Sequence, residues 1–237
     1  LYINPHKLTS TISRRLDEDG IKVSLYDHFE KNLGNLSEGS VVYYDNQRAS
    51  VRNIYALPDN VKKIGGNSLI GKLKGCKSAV EIKHINSAHE RDGVAMVRFL
   101  YWLTRAMELN TRLTEMDIAE ELLSFRKDQP YFMGESFGTI SAYGSNAAIV
   151  HYSPTIETNK IVEPKGFLLL DSGGQYVDGT TDLTRTIAMG DLTEQQCRDY
   201  TLVLKGHIAL ATQQFPEGTR GVQLDTLARM AMWQEGI

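Results

Sequence analysis

The amino-acid sequence predicts two regions of different architecture, an α/β unit in front and an α+β unit behind it. Three observations carry this. Up to residue 66, short apolar runs of strand period alternate with helix-like segments, the pattern of strands joined by crossover helices. From residue 78 on, two helical periodicities, a block of strand-like runs and two more helical periodicities follow, as in a sheet with its helices on one face. Between the two patterns, Gly65, Gly66 and Gly75 interrupt both. The predicted domains are therefore residues 1–66 and 67–237.

In the first region Leu1 to Ile3, Ile21 to Leu25, Val41 to Tyr44 and Val61 to Ile64 read as strands. Asp27 to Leu33 and Ala49 to Ala56 read as helices between them, with a short connecting helix in the linker. In the second region Ile82, Ile85, His89, Met96, Phe99, Leu103 and Met107 recur at helical spacing, which predicts one long helix from Ser78 to about Asn110. Thr114 is placed to cap the next helix with Asp117 three residues on, and Ile118, Leu122 and Phe125 form its apolar stripe. Strands are expected at 139–141, 147–152, 166–176 and 181–189. A capping box at Thr193 then opens a helix predicted to bury Cys197, Tyr200, Leu204, Ile208, Ala211 and Phe215, and a last helix runs from about Leu224 to Gln234.

Composition narrows the function. A formal net charge of −3 over 237 residues provides no general basic field for nucleic acid, and no apolar run approaches the roughly 20 residues that span a bilayer. Two cysteines, Cys76 and Cys197, make no zinc-type spacing and argue against a disulfide framework, which suits a reducing, cytoplasmic setting. The expected partner is a small molecule or peptide, with no nucleic acid and no membrane.

The stretch "DSGGQYVDGTTDLTRT", residues 171–186, is the most informative. Asp171 and Asp182 lie on opposite faces of a single straight strand, but a hairpin brings them together. A turn centred between Tyr176 and Val177 sets them directly opposite each other. A two-residue turn at Asp178-Gly179 instead sets Asp171 opposite Thr186. Two carboxylates held so close on a half-buried sheet repel, and a divalent cation resolves the conflict. The alternative is a tight turn in which Asp178 and the threonines satisfy backbone groups. Arg185 is placed either to orient a ligand or to make a structural ion pair. The spacing matches neither a calcium loop nor a phosphate-binding loop.

"LLLDSGGQYVDGTTDLTRT" (168–186), "EIKHINSAHERDGVAMVRFLYWL" (81–103), "SFGTISAYGSNAAIVHYSP" (136–154) and "FPEGTRGVQLD" (215–225) together resemble aminopeptidase P, the Xaa-Pro aminopeptidases of the pita-bread metallopeptidase superfamily. The resemblance implies a creatinase-like α/β middle domain followed by the first half of a pita-bread catalytic domain. It implies Asp171 as ligand of one metal, Asp182 as the ligand bridging two, and His151 as the residue that contacts substrate near the scissile bond. The cofactor implied is a pair of divalent ions, Mn²⁺ foremost. The substrates implied are peptides with proline second, and the intact enzyme is implied to be a homodimer. His89 is read as a packed core residue, and His6, His28, His84 and His207 receive no role.

The family's remaining ligands, a histidine and two glutamates, belong to sequence beyond Ile237. The chain is accordingly expected to be an internal fragment, with metal weakly held or absent and no activity on its own. Within the same fold a prolidase shares the aspartate pair. Non-catalytic pita-bread modules that bind peptides or histones generally lack it, so Asp171 and Asp182 favour catalysis.

Overall fold

A computed structural model describes residues 1–237. The chain forms two compact units, Leu1–Lys77 and Ser78–Ile237. This division by packing leaves the short helix after the glycine break with the first unit.

In the first unit, α1 (Ser10–Glu18) is capped by the Thr9 hydroxyl and is followed by α2 (His28–Gly34), β1 (Val41–Asp45), α3 (Val51–Tyr55), β2 (Lys62–Gly66) and α4 (Leu69–Gly75). The two strands are parallel, with Val41 opposite Lys62 and Asp45 opposite Gly66. A parallel pair needs a crossover, and α3 supplies it. The expected strands at 1–3 and 21–25 shrink to one bridge between Tyr2 and Ser24, because no neighbouring strand extends the pairing. Only Leu57 and Val61 are deeply buried among the unit's apolar residues.

The second unit opens with α5 (Ala79–Glu108), held at its start by a reciprocal cap between Ser78 and Glu81. Next come β3 (Leu113–Thr114), α6 (Glu115–Lys127), β4 (Phe132–Glu135), β5 (Ile140–Tyr143), β6 (Ile161–Val162), β7 (Phe167–Ser172), β8 (Gly174–Tyr176), β9 (Gly179–Thr180) and β10 (Leu183–Ala188). Two helices, α7 (Glu194–Ala211) and α8 (Gly221–Trp233), finish it. The predicted caps form: Thr114 with Asp117, and Thr193 with Gln196.

The central sheet runs β10-β7-β5, all antiparallel. Along β7 burial alternates: Leu168, Leu170 and Ser172 face inward, while Phe167, Leu169 and Asp171 take the other side. The inward face packs on Met96, Phe99 and Leu103 of α5 and on Ile118 and Leu122 of α6. Each such side chain contributes about 1.5–3 kcal/mol by leaving water. This core fixes which face of the sheet remains for chemistry.

Several expectations are corrected. His89 is exposed and bonds the Ile85 carbonyl of its own helix at 2.9 Å, so it is not a core residue. The region 147–152 is not a strand: a 3-10 helix spans Gly144–Ala148, entered through Gly144 at φ 58°, and a turn follows. The predicted stripe of α7 is not buried. Cys197, Tyr200, Leu204, Ile208 and Phe215 are exposed, while Leu202 and Gly206 are the buried pair. The reason is close packing on α8, where a Cβ on Gly206 would stand 1.9 Å from the Ala228 carbonyl oxygen.

Candidate metal centre

The register of the aspartate hairpin is neither of the two expected. Asp171 is opposite Thr184 and Ser172 opposite Leu183. Nearer the tip, Thr181 N–H donates to the Gly174 carbonyl, Gln175 pairs with Thr180 and Tyr176 with Gly179. One register therefore runs the whole length, closed by the two-residue turn Val177-Asp178. Asp182 lies two residues before Thr184 and just outside β10, so strand alternation continued to it would carry it to the side of Asp171.

Glycine makes this closure possible. A Cβ on Gly173 would lie 2.0 Å from the Thr181 carbonyl oxygen and 2.3 Å from Ser136 Oγ. Ser136 Oγ donates to that same carbonyl at 2.9 Å, and Thr181 Oγ1 accepts from Gly174 N–H at 2.8 Å. Any side chain at 173 would push the strand carrying Asp182 away. At the tip, a Cβ on Gly179 would meet the Ala88 methyl at 2.8 Å, so the hairpin is seated directly on α5.

The carboxylates sit in different surroundings. Asp171 is half-buried and accepts from Thr184 Oγ1 at 2.8 Å. Asp182 is exposed and makes no hydrogen bond or ion pair. Arg185 does not neutralise either: its guanidinium donates to the Thr184 carbonyl at 2.7 Å, so the ion pair considered for it is not formed. Two hard-oxygen donors on one face, one oriented by a hydroxyl and neither matched by a cation, suit a hard divalent ion. They fit it in part, since no group of three or more His, Cys, Asp or Glu comes together in the chain.

Asp178 belongs to the two-residue turn of the hairpin. Arg91 of α5 pairs with it, and the same guanidinium stands 5.3 Å from the ring centroids of Tyr131 and Tyr176. That hydrogen bond from Arg91 holds the Asp178 carboxyl below its ordinary 3.8.

His151 lies in the exposed turn after the 3-10 helix and makes no hydrogen bond to either aspartate. Its neighbour Tyr152 is buried against Ile140 and Ala142, with Leu169 beside them. Ile140 is opposite Asp171 and Leu169 alternates with it, so Tyr152 packs on the aspartate face of the sheet. The segment bearing His151 thus approaches from the same side.

Two buried groups were not singled out by sequence. Asp92 of α5 receives Arg126 Nε at 2.8 Å and Nη2 at 3.1 Å, and also the Tyr176 hydroxyl at 2.9 Å. Glu115 at the start of α6 accepts from Tyr143 N–H, Asn146 Nδ2, the Tyr152 hydroxyl and Lys160 N–H. Both read in sequence as ordinary polar positions on amphipathic helices; no local signal marks their burial.

Fold and site together describe a pita-bread metallopeptidase domain preceded by a creatinase-like α/β unit. Residues 83–237 match metallopeptidase family M24, and residues 1–81 match the creatinase/prolidase N-terminal domain. The chain belongs to metallopeptidase family M24. It is 37% identical, over its whole length, to a Sclerotinia sclerotiorum protein named "Probable Xaa-Pro aminopeptidase P", of which it spans 41%. Its fold superposes with a TM-score of 0.90 and 32% identity on X-prolyl aminopeptidase from Caenorhabditis elegans, described as a cytosolic enzyme with a di-nuclear active site; it covers 100% of this chain and 39% of that one. An X-Pro aminopeptidase from Thermotoga maritima shares the fold at a TM-score of 0.72 and 22% identity, over 97% of this chain and 63% of that one. The chain thus spans about two fifths of the length of the curated relatives it matches. No helix is long and apolar enough to cross a membrane.

Proposed function

We propose that this chain is part of a metal-dependent aminopeptidase that releases the N-terminal residue from peptides with proline second. The observation that supports it most is the hairpin register that sets Thr184 opposite Asp171, with Asp182 two residues before Thr184 and no protein cation paired with either carboxylate. Asp171 and Asp182 would hold two divalent ions, Mn²⁺ foremost, with Asp182 as the bridging ligand. When bound, such ions supply a low-pKa water and polarise the scissile carbonyl.

This chain's residues do the orienting. Thr184 donates to Asp171 and so aims its free oxygen lone pairs toward the open face. Thr181 and Ser136 fix the strand that carries Asp182. His151 would donate to the substrate beside the scissile bond from the same side of the sheet. Proline in second position presents a tertiary amide with fixed φ, a shape that a preformed surface can select. A homodimeric, cytoplasmic enzyme completes the reading, in keeping with the cytosolic description of the C. elegans relative.

Two carboxylates leave most of a metal's coordination to water, so this chain alone is expected to bind metal weakly and to be inactive. The test is a chimera in which residues 1–237 replace the matching segment of the C. elegans enzyme. Hydrolysis of an Xaa-Pro peptide is expected, with D171N and D182N each lowering kcat/KM by about 10²-fold or more, as loss of a metal ligand should. A folded chimera that hydrolyses such peptides equally well with D182N would refute the assignment.

A further inference from the structure

Glu115 is fully buried, yet no cation faces it. As the first residue of α6 it has the favourable end of the helix dipole behind it. Its oxygens take four neutral donors. Oε1 accepts from Tyr143 N–H at 2.7 Å and from Asn146 Nδ2 at 2.9 Å. Oε2 accepts from the Tyr152 hydroxyl at 2.8 Å and from Lys160 N–H at 3.0 Å. The Lys160 ammonium turns away to Ser145 Oγ.

All four donors come from one excursion of the chain, between the end of β5 and the start of β6. Tyr143 and Lys160 are its two ends, Asn146 lies in its 3-10 helix, and Tyr152 adjoins His151. No strand pairing holds the excursion between Gly144 and Lys160. The Glu115 carboxylate ties both ends of the loop to its 3-10 helix and, through the Tyr152 hydroxyl, sets the ring that packs beside Ile140 and Ala142. An amide cannot replace it, because one of its two polar atoms would present hydrogens to donors.

The geometry points to Glu115 as the positioning residue that fixes His151 over the Asp171–Asp182 face. It does not touch substrate; it acts through Tyr152. The inference rests on the reading of that face as the metal site.

The test uses the 237-residue chain with Mn²⁺ as paramagnetic probe. In the unsubstituted chain Mn²⁺ is expected to broaden the NMR signals of Thr184 and of the His151 ring. In E115Q, Thr184 broadens as before, whereas His151 broadening falls severalfold. Amide exchange at Tyr143, Lys160 and 144–158 rises about tenfold or more, while α5 keeps its protection. Y152F, which keeps the ring and removes one donor, gives the same changes to a smaller degree. Equal His151 broadening in E115Q, or unchanged exchange in 144–158, overturns the positioning role. Absence of Thr184 broadening in the unsubstituted chain overturns the metal reading and the inference with it, and the two failures are distinguished by which signal is unmoved.

Discussion

Asp92 and Glu115 are both buried carboxylates in the second unit, and each ties down one part of the candidate site. Asp92 is paired with a buried guanidinium and receives Tyr176 of the aspartate hairpin. Glu115 has no cation, only neutral donors from the segment that carries His151. The difference is one of stakes. Removing one half of an ion pair strands the other charge, whereas removing an acceptor from neutral donors strands dipoles. The hairpin is therefore tied through Tyr176 to a buried charge pair, whereas the histidine segment is held by neutral hydrogen bonds and by the packing of Tyr152.

The sharpest break of this comparison is Asp92→Ala. It leaves Arg126, 0% exposed, without its counter-charge and should cost about 3–5 kcal/mol in urea unfolding. Glu115→Ala strands four neutral donors, at about 1–3 kcal/mol for each that water does not reach, so its cost is of the same order but should be confined to 144–160 in hydrogen exchange. Unchanged hydrogen exchange of the hairpin in Asp92→Ala would show that the charge pair adds nothing to it.

Gly173→Ala tests the hairpin itself. The clash with Thr181 and Ser136 should destabilise the chain by about 1–3 kcal/mol, measured by thermal melting, and weaken Mn²⁺ binding in parallel. Tyr176→Phe removes one hydrogen bond to the Asp92 carboxylate, a loss of about 1.5–3 kcal/mol. Burial first, and the adjacent Asp92 charge second, hold the Tyr176 phenol above its ordinary 10.0. The folded chain thus keeps this proton after the unfolded chain has released it. This contribution of Tyr176 is complete below pH 10.0 and is lost as pH rises further, and the phenylalanine variant should flatten that alkaline limb.

The smallest effect is at Asp178. Its carboxyl lies below the ordinary 3.8 because Arg91 donates to it, so its contribution is present above pH 3.8 and is lost as pH falls through the lowered value. Arg91→Gln should remove that acid-side slope in unfolding measured against pH. An unchanged slope would show that the pair is idle.

Much of this organisation is legible in sequence where the cause is local. The reciprocal caps at Thr114 and Thr193 form because their partners lie three residues away. Asp178 occupies the turn because short polar residues favour turns. Legibility fails where the cause is distant. An apolar stripe predicts burial only if something covers it, and in α7 the covered face is the one at Leu202 and Gly206. The alternation at 147–152 resembles a strand, but Glu115 draws that segment into a compact loop from 28 or more residues away. The hairpin register depends on the close approach at Gly173, which no spacing rule reveals. A hairpin between Asp171 and Asp182 could be anticipated; its register and the two buried carboxylates Asp92 and Glu115 could not.

The central claim, that Asp171 and Asp182 form one metal-binding face, is tested most directly by titrating the chain with Mn²⁺ and mapping paramagnetic broadening residue by residue. Broadening should centre on Asp171, Asp182 and Thr184 and disappear in both D171N and D182N. Broadening centred elsewhere, or unaffected by either substitution, would contradict the claim.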